Sequence, residues 1–488
     1  MNWFKRLCCL MMSALLLAVA GCSASGEASA SRPEAKSRTW EEFTPSRTVS
    51  APLNFLTLDG KHLMVEMRSV AVEEGQTDAE AVLRALISGP LDDQTMRRVL
   101  TSSIELVSAE VSRRVANIEL STSYTFYRED EMLKVRVAIA NTLSSLLDLD
   151  YINVYVDGMD PGYLGQPLGA SKSSTLDLTL YCDQVIQELK NITDDDSYEE
   201  RRIIVYYIPD ASGKFLMADP EETTILSATT GETVERNYLR TVVFGLMTGS
   251  RAELFGGFNL GSTEPAIVLD ENGRKSAFVL LRSRPENEAL AYGSLVYTIT
   301  GFVCNITHVT LAVEDASAPE GYRLIEEVPG LGSFPGGVFH RSDFSGLIGD
   351  DVTLYYPLQS GKGLTAVQRA VPQAESQEPV TILQELLCAP PEDGTVRLPI
   401  DAVEKEEILG AKLCGNTVVA NFSASFREKC SSLPSEDESA LIYSIVNTLC
   451  EISGVTQVQF LFEGTSVDSL GALNLSGPLM RSPGVVLS

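Results

Sequence analysis

The stretch IANTLSSLLDLDYINVYVDG at residues 139–158 returns as IVNTLCEISGVTQVQFLFEG at residues 445–464. Asn141, Thr142, Leu143 and Gly158 stand opposite Asn447, Thr448, Leu449 and Gly464 at one offset of 306, which also carries Leu164-Gly165 onto Leu470-Gly471. A frame kept without gaps over that length marks a repeat, and a repeat fixes the folding unit before any motif is weighed. Apolar residues obey the same frame, with Ile139, Leu146, Ile152, Val154 and Val156 matched by Ile445, Ile452, Val458, Phe460 and Phe462. Helical spacing comes first and alternation second, so the block predicts a helix running directly into a half-buried strand.

A third, fainter copy lies between these two. Leu295, Thr298 and Phe302 share a helical face, and Val309, Leu311 and Val313 alternate, with one extra residue between helix and strand. Upstream, another helix recurs three times: Val82, Leu83, Leu86, Gly89 and Pro90, then Val242, Val243, Leu246, Gly249 and Ser250, then Ile382, Leu383, Leu386, Ala389 and Pro390. The Gly-Pro ending is chemistry that stops a helix. Period-2 runs surround these helices, among them NFLTL, LMVEMRSV, VSAEVS and VANIELS in the first copy. Asp59-Gly60, Asp270 to Gly273 and Gly415-Asn416 read as hairpin turns. Each module is therefore expected to run β-β-α-β-β-α-β, an α+β fold with two helices on one face of a mixed sheet. The expected modules are residues 50–170, 201–315 and 350–480, separated by linkers at 171–200 and 316–349, with a tail at 481–488. LDLTLYCDQVIQELK in the first linker reads as a connector helix or an extension of module 1.

The N-terminus carries a different message. Lys5 and Arg6 precede an apolar run from Leu7 to Ala20, a signal-peptide layout too short to span the ~20 residues of a hydrocarbon core. Val19-Ala20-Gly21-Cys22 resembles a bacterial lipobox, in which the Cys22 thiol takes a diacylglycerol once residues 1–21 are removed. Anchorage of about 0.8 kcal/mol per buried CH₂ makes several acyl chains durable. Residues 22–49 are expected to be a flexible tether, and the protein to sit on the outer face of the plasma membrane.

The 488 residues are 44% hydrophobic and 21% charged, enough to bury several cores. Net charge is −28, and loss of Lys5 and Arg6 with the leader takes it to −30. Such acidity excludes a nucleic-acid partner and peripheral attachment to anionic lipid, both of which need basic patches. Outside the leader and anchor, Cys182, Cys304, Cys388, Cys414, Cys430 and Cys450 form an even set that permits disulfides, although several fall on apolar helix faces; spacing leaves free and paired thiols open.

Reactive constellations are scarce. His62, His308 and His340 are the only histidines, with no paired-His spacing and no G-x-S-x-G elbow. GLGSFPGG at 330–337 contains Pro335 and does not join a strand to a helix, so it reads as linker rather than phosphate loop. Asp270 to Gly273 lacks the twelfth-position Glu of a calcium loop, and the Asp194 to Glu200 cluster reads as a solvated acidic loop. Sequons at Asn191, Asn305, Asn421 and Asn474 carry no weight in a lipobox protein. No cofactor, metal or small-molecule substrate is expected.

The helix ending LISGP (LLCAP in copy three), the hairpin VSRRVANIELS, the NTL helix and the strand closing in Asp157-Gly158 or Glu463-Gly464 together resemble the GerMN domain of sporulation and spore-germination lipoproteins. The middle copy has Tyr297 and Asp315 where the pattern has Asn and Gly. The resemblance implies small α/β modules like ring-building motifs, with no catalytic residues, packing side by side or against envelope proteins around the forespore. The expected function is thus a non-catalytic, membrane-anchored scaffold; the alternative is a cell-envelope enzyme such as a peptidoglycan hydrolase or its accessory lipoprotein.

Overall fold

The computed structural model describes residues 38–486 apart from 74, 122–128, 157, 173–175, 195–198, 227–232, 270–272, 361–362, 392–393 and 402. The leader, Cys22, most of the tether, Asp195-Asp196 and Asp270 to Asn272 lie outside the described residues. Among the described residues no helix is long and apolar enough to cross a membrane.

Module 1 runs β1 (Arg47–Thr57), β2 (Leu63–Val72), α1 (Asp78–Ser88), β3 (Met96–Arg97), β4 (Leu106–Ser112), β5 (Val115–Leu120), α2 (Glu129–Ser144), β6 (Tyr151–Val156) and β7 (Ser171–Lys172). Then come α3 (Leu178–Asp194) and module 2: β8 (Arg201–Pro209), β9 (Leu216–Thr224), α4 (Val234–Leu246), β10 (Ala266–Leu269), β11 (Lys275–Leu281), α5 (Glu288–Phe302), β12 (Val309–Glu314) and the short β13 to β16 (Tyr322–Leu324, Glu327–Val328, Gly332–Ser333, Val338–Phe339). Module 3 repeats the order with β17 (Gly349–Pro357), β18 (Leu364–Pro372), α6 (Pro379–Leu387), β19 (Ile408–Cys414), β20 (Thr417–Phe422), α7 (Ala424–Ser431), α8 (Ser435–Leu449), β21 (Gln457–Phe462) and the short β22 to β25 (Thr465–Ser466, Ser469–Leu470, Leu473–Asn474, Leu479–Met480).

The three modules follow the expected α+β order, and within each a two-strand hairpin stands apart from a mixed sheet. The first two strands form a hairpin, β1–β2, β8–β9 or β17–β18, all antiparallel. The later long strands form a mixed sheet whose central pair is parallel: β5 with β6, β11 with β12, β20 with β21; β3 joins the first hairpin, and β14–β15 and β23–β24 are two-stranded sheets of their own. A parallel pair needs a crossover, and α2, α5 and α8 supply it, α8 preceded by the short α7. The apolar triplets of the first helices, Val82/Leu83/Leu86, Val242/Val243/Leu246 and Ile382/Leu383/Leu386, are all buried in the three main cores.

One polar residue in the helix before the closing strand ties that helix to the hairpin in every module. Thr142, Thr298 and Thr448 each offer Oγ1 to a backbone N–H of the first hairpin strand, from Asn54 at 3.1 Å, Tyr207 at 3.2 Å and Tyr355 at 2.9 Å. A buried strand N–H facing a helix needs such an acceptor. The neighbouring Asn141 and Asn447 each clamp the backbone after the closing strand, at Leu176 and Ser482, through both amide atoms. Module 2 has Tyr297 there, whose backbone carbonyl instead accepts from Arg341 at 2.9 Å.

Three segments expected to be linker or tether are built into the modules. In 171–200, β7 pairs with β6, and α3 buries Val185 and Leu189 against Leu133 and Tyr163. In 316–349, β13 and β16 both pair with β12, while Phe334, Phe339 and Phe344 enter the core of module 2. The Gly, Pro and Ser there make the turns that bring those three rings in. Residues 38–46 lie on module 3, with Phe43 packed on Val419 and Leu461.

Candidate functional site

Alternation along a strand puts every second residue of the mixed sheet on the side away from its helices. In module 1 that outer face carries Ser108, Glu110, Asn117, Glu119, Asn153 and Tyr155, because Ala109, Ala116, Ile118 and Val154 point into the core. A polar sheet face is ordinarily left to water. Here module 2 is set against it. Asn117 Nδ2 donates to the Tyr207 hydroxyl at 3.0 Å, and Asn153 Nδ2 donates to Asn117 Oδ1 at 3.1 Å.

Arg341 follows β16 and lies across this junction. Its guanidinium stands 4.1 Å from the ring centre of Tyr297, 4.7 Å from Tyr155 and 5.9 Å from Tyr207, a cage contributed by both modules. Burial by itself would lower the Arg341 pKa, but Tyr207, Tyr155, Tyr297 and Glu110 outweigh it and hold the group cationic. Glu110 is the acidic counterpart. Burial raises its pKa and Arg341 opposes that shift, yet no ion pair forms between them. Beside Glu110 opens a groove of about 530 Å³, lined by Val107, Glu119, Tyr297, Thr307 and His340 among others, within the usual size of a ligand pocket.

Module 1 meets module 3 through a second polar seam. Arg113 donates its backbone N–H to Asp350 Oδ1 at 2.8 Å and pairs through Nε with Asp351 at 2.8 Å, while Ser112 Oγ donates to Gly349 O at 2.6 Å. Burial pushes the Asp350 carboxyl up to about 6 against those hydrogen bonds. Arg47 pairs with Asp78 and donates to Ser453 O, joining the same two modules elsewhere.

Cys22 lies outside the described residues. Among the described residues Cys304, Cys388, Cys414, Cys430 and Cys450 are free thiols; Cys304, Cys430 and Cys450 are buried, and Cys182, Cys388 and Cys414 partly so. His62 is exposed next to the β1–β2 turn. His308 and His340, 32 residues apart, are brought together with ring centres 5.4 Å apart, and His308 Nδ1 is 2.9 Å from Thr307 Oγ1. Among the described residues no group of His, Cys, Asp or Glu is arranged to hold a metal ion. Residues 330–337 complete the β14–β15 hairpin, and a side chain at Gly337 would strike Leu311 O. The Glu110–Arg341 groove was not legible as a site, since its halves are more than 200 residues apart; the one available signal was polar residues at alternate positions of VSAEVS and VANIELS.

A family model described as Germane, sporulation and spore germination, matches residues 53–161 and 353–468. None of the curated proteins matches the sequence. Among solved structures, the tandem GerMN domains of the sporulation protein GerM from Bacillus subtilis align at 18% identity over 58% of this chain and 98% of that one, with a TM-score of 0.22. A putative lipoprotein from Clostridium perfringens aligns at 19% identity over 27% and 88%, with a TM-score of 0.20. The first GerMN domain of GerM aligns at 17% identity over 27% and 96%, also at 0.20.

Proposed function

We propose that this chain, two of whose modules match the family model for sporulation and spore germination, works without chemistry, as a membrane-anchored docking element of an envelope complex. The observation that carries this reading is the use of the modules' outer surfaces inside the chain itself. Module 1's sheet face is occupied by module 2, and module 3's by residues 38–46, held through Phe43 and the Trp40 indole, which the Lys412 ammonium approaches to 3.9 Å. Surfaces that bind protein intramolecularly can bind it in trans by the same contacts, and several on one chain raise the effective concentration of each later contact. Acidity favours basic partner proteins and disfavours anionic envelope polymers.

Anchoring through Cys22 completes the reading. Cys22→Ser is expected to release the protein from the membrane fraction and abolish lipid labelling; unchanged fractionation and labelling reject the anchor. Cross-linking in starved, sporulating cells is expected to capture discrete envelope proteins. Normal spore formation and germination after deletion would remove the sporulation role, and cleavage of purified peptidoglycan by the protein would remove the non-catalytic one.

A further inference from the structure

The strand register lets the outer faces of modules 1 and 3 be compared position by position. Glu110 pairs with Asn117, which pairs with Asn153; Lys412 pairs with Val419, which pairs with Gln459. Glu110 and Lys412 therefore occupy the same place on the two faces. Each edge strand has a register break at the same point, between Leu106 and Ser108 and between Ile408 and Gly410, which turns Val107 and Leu409 out to solvent. In module 3 the position is satisfied. Lys412 donates to the carbonyls of Trp40 and Phe43, at 3.2 and 3.4 Å, under the segment that fills the face. In module 1 the charge is reversed, and the position lies beside Arg341 at the junction with module 2. Among the described residues Glu110 has no hydrogen-bond or ion-pair partner, and its half-buried carboxylate borders the open groove.

We propose that this groove takes the cationic end of a lysine or arginine side chain from a partner protein, with Glu110 as its counter-ion. This rests on the docking function above and names the chemistry of one contact. The walls suit such a group. Ser108 and Thr307 line it with hydroxyls, and Val107, 56% exposed at the rim, suits the aliphatic stem. Val107 at an exposed edge leaves the far end of the ligand in solvent, as a side chain reaching in from another surface requires.

The test uses the intact chain at about 0.15 M salt, where charges more than about 8 Å apart are screened. The probe is a fluorescein-labelled peptide of alternating lysine and glycine, nine residues long, read by polarisation. Glu110→Gln is expected to weaken binding at least tenfold with an unchanged melting profile. Lys412→Gln, the equivalent change on module 3, is expected to leave binding within twofold. Diffuse attraction to an acidic protein would not distinguish one carboxylate among 66. Equal affinity in Glu110→Gln, or no binding by the parent at millimolar peptide, overturns the proposal. Tighter binding of spermidine than of the peptide, lost in Glu110→Gln, overturns the protein side chain as occupant. Preference for the matching glutamate-glycine peptide overturns the cation. Cellular cross-links that persist in Glu110→Gln leave the docking function standing while this contact fails; their absence from the parent removes the docking function itself.

Discussion

The outer sheet faces of modules 1 and 3 are built on one register and covered in different ways. Module 1 presents Glu110, Asn117, Glu119, Asn153 and Tyr155, and module 2 meets them with hydroxyls, a guanidinium and rings. Module 3 presents Lys412, Val419, Asn421, Gln459 and Leu461, and the segment before β1 covers them with Trp40 and Phe43. Gly410, opposite Ser108 in this register, lies under the Trp40 ring with φ +148, where a Cβ would come within 3.4 Å of the indole. The repeated pattern is thus confined to what faces the helices. The outward positions diverged with what covers each face, because strand alternation lets one side change without disturbing the other.

Several substitutions sharpen or break this contrast. The largest effect is expected from Phe43→Ala. Phe43 is 6% exposed against Val419 and Leu461, and truncating a buried Phe costs about 3 kcal/mol. Hydrogen exchange should accelerate in residues 38–46 and in β19 to β21, and stay unchanged in β4 to β6; equal acceleration in both sheets would mean that the cover is not local to module 3.

Next come the threonines that tie hairpin to helix. Thr142→Val, Thr298→Val and Thr448→Val each strip the acceptor from a buried N–H of the hairpin, at about 1–2 kcal/mol apiece. Urea unfolding followed module by module should show similar losses in all three. A loss in one alone would show that the shared hydrogen bond is incidental.

Asn447→Ala is expected to cost about 1 kcal/mol by freeing the backbone at Ser482. Tyr297→Asn in module 2 should not restore an equivalent clamp, since it also removes the ring under Arg341 and beside Tyr207, at 4.9 Å between centres. Thermal melts of the pair separate these outcomes: parent-like stability in Tyr297→Asn would break the distinction between modules.

The smallest effect is a pH dependence at the seam between modules 1 and 3. Asp350 has its folded-state pKa raised to about 6 by burial, above the ordinary value near 3.9. Its ionisation therefore disfavours the folded seam, and stability from this group rises as pH falls through 6 toward 4. Asp350→Asn should raise the melting temperature by a few degrees at pH 8 and by almost nothing at pH 4. A difference independent of pH would mean that Asp350 is not desolvated in the seam.

What the sequence alone determined is the part governed by local periodicity. The offset of 306, the triplets such as Val82, Leu83 and Leu86, and the alternation at Ile152, Val154 and Val156 specify helices, strands and their order, because each element's buried face is written in its own residues. Thr142 and Thr448 were visible as repeated letters whose purpose was not. What only the tertiary structure decided is which outward residues meet. Composition around Gly330 to Gly337 reads as linker, yet Phe334, Phe339 and Phe344 fold back into a core; Trp40 and Phe43 read as tether, yet cover a sheet about 370 or more residues away. Glu110 and Arg341, ordinary surface residues by sequence, border one groove because docking of two modules removes water from both. Contacts between distant segments depend on shape and desolvation, and neither leaves a period in the chain.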